Sequence, residues 1–172
     1  MTASAQEIRL MIMDACVLID FLHADRTVLQ LVARYVGPVY VVSPVVEEVR
    51  DIDGQEELIE LGISVIEPEI EDAYAAAGGA GAVSFQDRLC LLTAKRHGMT
   101  CVTNDTSLRR QCSNEGIPLL WGLELLLELH ASGGMPRHIA EDIARTIHEA
   151  NPRHITTAIL RRFLSKLSRG RG

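Results

Sequence analysis

Four acidic residues of this chain stand where the sequence predicts the ends of strands or the beginnings of helices: Asp14, Glu48, Asp87 and Asp105. Asp14 ends the apolar run of residues 8–13, and Asp105 follows the run of residues 99–102 across a short turn. In an open parallel sheet, ligands collect at the carboxyl ends of the strands, because the chain leaves there in loops and helix N-termini point inward. The pattern therefore predicts that the four carboxylates face one crevice.

Carboxylates gathered in one crevice would repel one another, so the pKa values of some of them would rise unless a cation lies between them. Oxygen ligands of this kind suit a hard divalent ion, Mg²⁺ or Mn²⁺. Such an ion lowers the pKa of a bound water molecule and neutralises the charge that builds up on a phosphodiester. The chemistry that these residue types predict is hydrolysis of an RNA or DNA backbone.

Each acid also has a simpler interpretation when it is taken alone. Aspartates at helix starts are often N-caps that add about 1 kcal/mol to stability, and paired glutamates on helices are usually solvated. Glu47 directly precedes Glu48 and competes with it for the second position of the site. The order and placement of the whole set favour a shared site over separate caps.

The elements that would position these acids alternate between strands and helices. Strands are predicted at residues 8–13, 39–42, 63–66, 99–102 and 117–120. Helices are predicted at residues 17–35 with a break at 24–26, after Ser43 as N-cap and Pro44, and at residues 69–77, 84–97 and 106–114. Such alternation with short connections indicates an α/β fold whose central parallel sheet is covered by helices on both faces.

Beyond the last predicted strand the sequence indicates only helices, at residues 123–130, 137–150 and 155–167. A chain of 172 residues suits one compact domain. We therefore expect residues 1–130 to form the main domain and residues 131–172 to form a helical C-terminal extension, packed on that domain or appended to it.

Several classes of protein and site are disfavoured. No apolar run approaches the roughly 20 residues of a membrane-spanning helix, and residues 1–7 lack the features of a secretory signal, so we expect a cytoplasmic protein. The four cysteines and six histidines show no zinc-ligand spacing. The glycine-rich residues 78–81 are not followed by the lysine of a phosphate-binding loop.

In four segments the chain resembles the PIN-domain family. They are residues 13–19 (MDACVLI), 42–49 (VSPVVEEV), 84–87 (SFQD) and 101–105 (CVTND). Their order, their spacing and their positions on strand ends or helix starts carry the resemblance, which covers roughly residues 8–121.

The resemblance implies a three-layer α/β/α fold, endoribonuclease activity with Mg²⁺ or Mn²⁺ as cofactor and, in many bacterial members, the role of toxin in a toxin–antitoxin pair. By position, the four acids of the family correspond to Asp14, Glu48, Asp87 and Asp105, and Thr103 corresponds to the hydroxyl residue that supports the last acid. The partners then expected are an RNA substrate, an antitoxin protein and a second copy of the chain in a homodimer.

Two features depart from the family pattern. Cys16 stands where relatives commonly have Ser, Asn or Thr, and a long helical segment follows Trp121. These departures leave room for an alternative of another class. It is a catalytically weak PIN-like interaction module, whose acids only cap helices and whose helical extension binds a partner.

The charge of the chain is unevenly distributed. The formal net charge is −6, yet residues 153–172 carry six basic residues and no acid, so residues 1–152 carry −12. A crevice of carboxylates on an acidic body should repel a polyanion, so one hypothesis is that the basic end holds RNA. The other is that this helix packs on a neighbour or on a second subunit through its apolar residues Leu160, Phe163, Leu164 and Leu167.

Overall fold

The computed structural model describes residues 8–170, which form a parallel sheet surrounded by helices. The strands are β1 (Met11–Met13), β2 (Val39–Val42), β3 (Ile63–Ile66), β4 (Thr100–Val102) and β5 (Leu119–Leu120). The helices are α1 (Ala15–Ala24), α2 (Thr27–Tyr35), α3 (Ser43–Glu48), α4 (Gln55–Glu60), α5 (Ile70–Ala77), α6 (Phe85–His97), α7 (Thr106–Asn114), α8 (Gly122–Ala131), α9 (Arg137–Ala150) and α10 (Thr157–Arg169).

The sheet is parallel throughout and has the strand order β3-β2-β1-β4-β5. Its central strand, β1, pairs with β2 on one side and with β4 on the other, so that Ile12 lies beside Tyr40 and Cys101. Because the chain returns to the same edge before each new strand, the connections carry helices that flank the sheet. The predicted α/β class, with three layers and further helices at the C-terminal end, is confirmed.

The strands form from short, almost continuous apolar runs, as expected for strands buried on both faces. All of β1 is fully buried, as are Cys101 and Val102 of β4. The first strand is shorter than the predicted residues 8–13: Ile8 is 73% exposed, and the Arg9 side chain forms an ion pair with Glu128 of α8. The last strand is also shorter than predicted, since the Ile117 N–H bonds to Cys112 at the end of α7 instead of joining the sheet.

Most predicted helices are confirmed. The expected break at residues 24–26 separates α1 from α2, where the Asp25 carboxylate accepts from the Thr27 N–H at 2.9 Å. Helix α6 begins after the N-cap Ser84 and ends at Gly98, whose φ of 64° is the left-handed conformation that favours glycine. The prediction that Ser43 is an N-cap is wrong: the helix already includes Ser43, whose hydroxyl donates to Glu67 at 2.6 Å.

The C-terminal helices pack on one another and on the first two helices of the chain: α9 contacts α1, and α8 contacts α2. Helix α10 buries Leu160, Phe163 and Leu167 against α8 and α9. The packing role expected for this apolar face is therefore confirmed, with neighbours in the same chain. The division of the chain at residue 130 stays a prediction.

Within residues 8–170, no helix is both long enough and apolar enough to cross a bilayer. Residues 1–7, on which the expectation of a cytoplasmic location depended, lie outside the described part of the chain, as does Arg171 of the basic end. The location in the cell stays a prediction.

Candidate functional site

Two of the predicted acids leave adjacent strands at the same edge of the sheet. Asp14 directly follows β1, and Asp105 follows β4 by a turn of two residues. Met13 and Val102, the last residues of these strands, are paired in the sheet. Each aspartate is the N-cap of the next helix: Asp14 accepts from the Val17 N–H at 3.0 Å, and Asp105 accepts from the Leu108 N–H at 2.8 Å.

Thr103 connects these two acids. Its hydroxyl donates to Oδ2 of Asp14 and accepts from the backbone N–H of Asp105 at 3.0 Å. Both side-chain oxygens of Asp14 are therefore hydrogen-bonded, one to Thr103 and the other to the start of α1. The sequence predicted that Thr103 supports the last acid, and the structure shows that it contacts the side chain of the first acid as well.

Asp14 is only 1% exposed, and its carboxyl group is the most strongly perturbed acid of the site. Burial raises its pKa to about 7; the hydrogen bonds from Thr103 and Val17 oppose this effect, and the charges of Asp87 and Asp105 add to it. A carboxyl group with such a pKa is half protonated near neutral pH. A nearby cation would favour its charged form.

The other two acids extend the cluster. Asp87 lies in the first turn of α6, where its backbone N–H donates to the Ser84 hydroxyl at 3.1 Å. Burial raises the pKa of Asp87, and the charge of Asp105 raises it further. The pKa of Glu48, at the end of α3, is raised by burial and by the charge of Asp87. Charge interactions thus link Asp14, Asp87 and Asp105 with one another, whereas Glu48 interacts with Asp87 alone.

The charge repulsion with Asp87 distinguishes Glu48 from Glu47, the alternative second acid of the site. Glu47 is exposed on α3, whereas Glu48 lies close enough to Asp87 for the two charges to repel. The Glu48 side chain is itself largely accessible to water. This placement favours Glu48 over Glu47 as the outermost acid of the cluster.

The carboxylate oxygens of these acids are the ligand type that a hard divalent cation prefers, but the acids are not arranged around a common point. In residues 8–170, no group of three or more acid, histidine or cysteine side chains is placed so that it could hold a metal ion. A carboxylate has about four acceptor positions, and the hydrogen bonds of Asp14 and Asp105 leave some of these free. The residue types therefore fit Mg²⁺ or Mn²⁺, and ligation would need the carboxylates to come closer together than they are in this structure.

A second buried carboxylate, which sequence reasoning missed, lies on α1, the helix that Asp14 caps. Asp20 on α1 is 9% exposed and accepts from the side-chain amides of Asn104 and Asn151, each at 3.2 Å. The Asn104 side chain also accepts from the Gly122 N–H at 2.9 Å. Burial raises the pKa of Asp20, and the two amide hydrogen bonds oppose the rise. The network joins α1, the turn that carries Asp105, the start of α8 and the connection after α9.

The available signal for Asp20 was a single charged residue on an otherwise apolar part of α1, between Leu18 and Phe21. Cys16 lies beside the network, with its sulfur 4.0 Å from the Asn151 amide nitrogen. Burial and the charges of Asp14 and Asp20 raise the pKa of this thiol to about 12, so Cys16 stays protonated.

Arg109 supports the site from the side of α7. Its guanidinium donates to the Thr103 carbonyl at 3.0 Å and lies over the Trp121 ring, 3.6 Å from the ring centre. Partial burial lowers the pKa of Arg109. A cation is thereby fixed beside the turn between Thr103 and Asp105.

Compared with models of known protein families and with curated proteins, the chain matches none. The PIN-domain resemblance and the functions that it implies stay predictions.

Proposed function

We propose that this chain is a metal-dependent endoribonuclease of the PIN-domain type, which hydrolyses RNA phosphodiester bonds. Asp14, Glu48, Asp87 and Asp105 hold Mg²⁺ or Mn²⁺ in this proposal. The observation that carries it is the buried carboxyl group of Asp14, whose pKa of about 7 reflects burial and the charges of two further acids.

Such an arrangement costs stability in a protein that only needs to fold, because each buried acid penalises the charge of the next. A hydrogen-bonding residue without charge would cap α1 equally well. Perturbed carboxyl groups that gather at the carboxyl edge of a parallel sheet are typical of sites that bind a cation and its substrate. The cluster therefore supports a chemical role better than a structural one.

When bound, the divalent ion would supply a Lewis acid that activates water and offsets the negative charge of the scissile phosphate. The residues of the chain hold and orient the acids. Thr103 donates to Asp14 and favours its charged form, while the start of α7 fixes Asp105. The Ser84 cap orders the first turn of α6, from which Asp87 projects.

A specific observation also favours the alternative, a PIN-like interaction module. Asp14 and Asp105 do cap helices, and no group in residues 8–170 is ready to hold a metal ion. In that case the acids contribute only caps, and the C-terminal helices serve a partner. The two functions differ in their response to manganese and RNA.

Cleavage of a labelled single-stranded RNA by the purified full chain tests the proposal. We expect cleavage with Mn²⁺, none with excess chelator, and a loss of at least about 100-fold for Asp14→Asn purified in the same way, because several kcal/mol of charge stabilisation depend on the ion. Cleavage that persists in chelator, or that equals wild type in Asp14→Asn, would refute the proposed site. Inactive wild-type protein would favour the interaction module.

The biological role that we propose is that of a cytoplasmic toxin, acting as a homodimer and inhibited by an antitoxin protein. Induced expression in a bacterial host should arrest growth with the wild-type chain and not with Asp14→Asn. Normal growth of cells that express active wild-type enzyme would refute the toxin role and leave the proposed nuclease activity standing.

The proposed homodimer has its own test. Light scattering measures the molar mass of the purified chain in solution, and the mass of a monomer would refute the dimer.

A further inference from the structure

A groove between α8 and α10 lies outside the acidic cluster. Its floor is apolar and includes Trp121, Ile159 and Phe163, and its rim carries the basic side chains of Arg162 and Lys166. Arg162 and Lys166 are four residues apart on α10, so they project on the same side of the helix. The groove thus combines an aromatic surface with two neighbouring positive charges.

The groove continues the edge of the sheet on which the acids lie. Trp121 directly follows β5, and β5 pairs with β4, which leads to Asp105. Adjacent strands are about 4.8 Å apart, so the groove begins one strand away from the acidic cluster. Arg109 spans this step, since it bonds to the Thr103 carbonyl and stacks on Trp121.

The charges at the rim are available to a ligand. Arg162 and Lys166 are exposed, and neither forms an ion pair with another residue in the described range 8–170. Glu124 is the acid that lines the groove, and its carboxylate accepts from the backbone N–H of Trp121 at 2.7 Å. On a body whose residues 1–152 carry −12, this rim is a local positive patch.

Trp121 offers the groove a prepared aromatic surface. The Arg109 guanidinium covers part of its ring at 3.6 Å and is not among the side chains that line the groove. Trp121 is itself only partly buried and lines the groove. Proteins bind single-stranded nucleic acid with this combination of aromatic stacking and a basic track for the backbone.

We propose that this groove binds single-stranded RNA, with a nucleobase stacked on Trp121 and phosphates bound by Arg162 and Lys166. The choice of RNA rests on the proposed function. An acidic peptide could also bind the two basic side chains. A nucleic acid strand is favoured because Trp121 offers an aromatic ring for a base, and because Arg109 connects the groove to the acidic cluster. The positive rim compensates for the repulsion between the acids and the strand that they cleave.

Intrinsic fluorescence gives a direct measurement, because Trp121 is the single tryptophan of the chain. The full chain, in chelator so that no cleavage occurs, is titrated with a short single-stranded oligoribonucleotide. Stacking should quench the tryptophan emission in a saturable way. Duplex RNA, whose bases are already stacked, should quench it much less.

Charge reversal on α10 offers a matched comparison. Arg162→Glu and Lys166→Glu should each weaken RNA binding by roughly tenfold or more, whereas Arg161→Glu should have little effect. Arg161 is exposed on the same helix and does not line the groove. The double variant should also lower the slope of log Kd against log salt concentration by about 1.4, because two phosphate contacts are lost. Thermal denaturation checks that every variant is folded.

Three outcomes would overturn the proposal: RNA binding without quenching, equal loss of binding in Arg161→Glu and Arg162→Glu, or stronger quenching by an oligoglutamate than by RNA. The last outcome would assign the groove to an acidic polypeptide. Asp14→Asn separates this proposal from the nuclease, since it should lose cleavage and keep quenching. If wild-type protein cleaves RNA but RNA does not quench its tryptophan emission, the proposed nuclease activity stands and the proposed binding of RNA in the groove is refuted.

Discussion

At the scale of single residues, the main feature is a carboxyl group that is buried where it can be charged only at a cost. Asp14 is 1% exposed and has a pKa of about 7 because burial and two nearby acids oppose its charge. The sequence predicted Asp14 from its place after an apolar run. It could not predict the double contact of Thr103, because that depends on how β1 and β4 pair.

This burial predicts a pH dependence of stability for the metal-free chain in chelator. The folded Asp14 keeps its proton up to a pH of about 7, whereas the ordinary value is 3.8, so between these values the folded state binds more protons than the unfolded state. The free energy of unfolding should therefore fall as the pH rises through this window, by up to about 4 kcal/mol. Urea denaturation at several pH values measures the effect.

Asp14→Asn is the control, since asparagine also caps helices well and has no charge to bury. It should remove this contribution to the pH dependence and be more stable than metal-free wild type above neutral pH. Equal pH profiles for the two proteins would mean that Asp14 is charged in the fold without cost.

At the scale of elements, the sequence predicted what depends on local pattern. The strands Val39–Val42 and Ile63–Ile66 and the helix Thr106–Asn114 have the predicted bounds, since apolar runs and turn residues delimit them. Helix α4 was missed because it is six residues long and buries only Leu58, too little for a visible period. The Asp20 network was missed because Asn151 is 131 residues away in the sequence.

That network predicts that Asn151, in the connection after α9, helps to stabilise the fold around Asp20. Asn151→Ala removes an amide that donates to a buried carboxylate, so we expect a loss of about 1–2 kcal/mol of stability. Chemical denaturation measures it. Asn114→Ala, at an exposed asparagine at the end of α7, is the control and should change stability by less than about 0.5 kcal/mol. Equal effects of the two substitutions would show that Asn151 does not hold the extension.

At the scale of the whole molecule, the C-terminal helices are part of the packed structure and not a loose arm. Helix α10 buries three residues, so deleting it would expose apolar surface on α8 and α9. The uneven charge read from the sequence has a structural counterpart, because Arg162 and Lys166 line a groove one strand away from the acids. An acidic site and its basic neighbour thus share one edge of the sheet.

The most direct test of the central claim, that the acids form a divalent cation site, is a calorimetric titration of Mn²⁺ into the full chain. Wild type should bind Mn²⁺ and gain about 2.7 kcal/mol of stability at a hundredfold excess over Kd. Asp14→Asn should lose binding, Glu48→Gln should weaken it by roughly tenfold, and Glu47→Gln should leave it unchanged. No heat of binding in wild type, or equal binding by Asp14→Asn, would contradict the account.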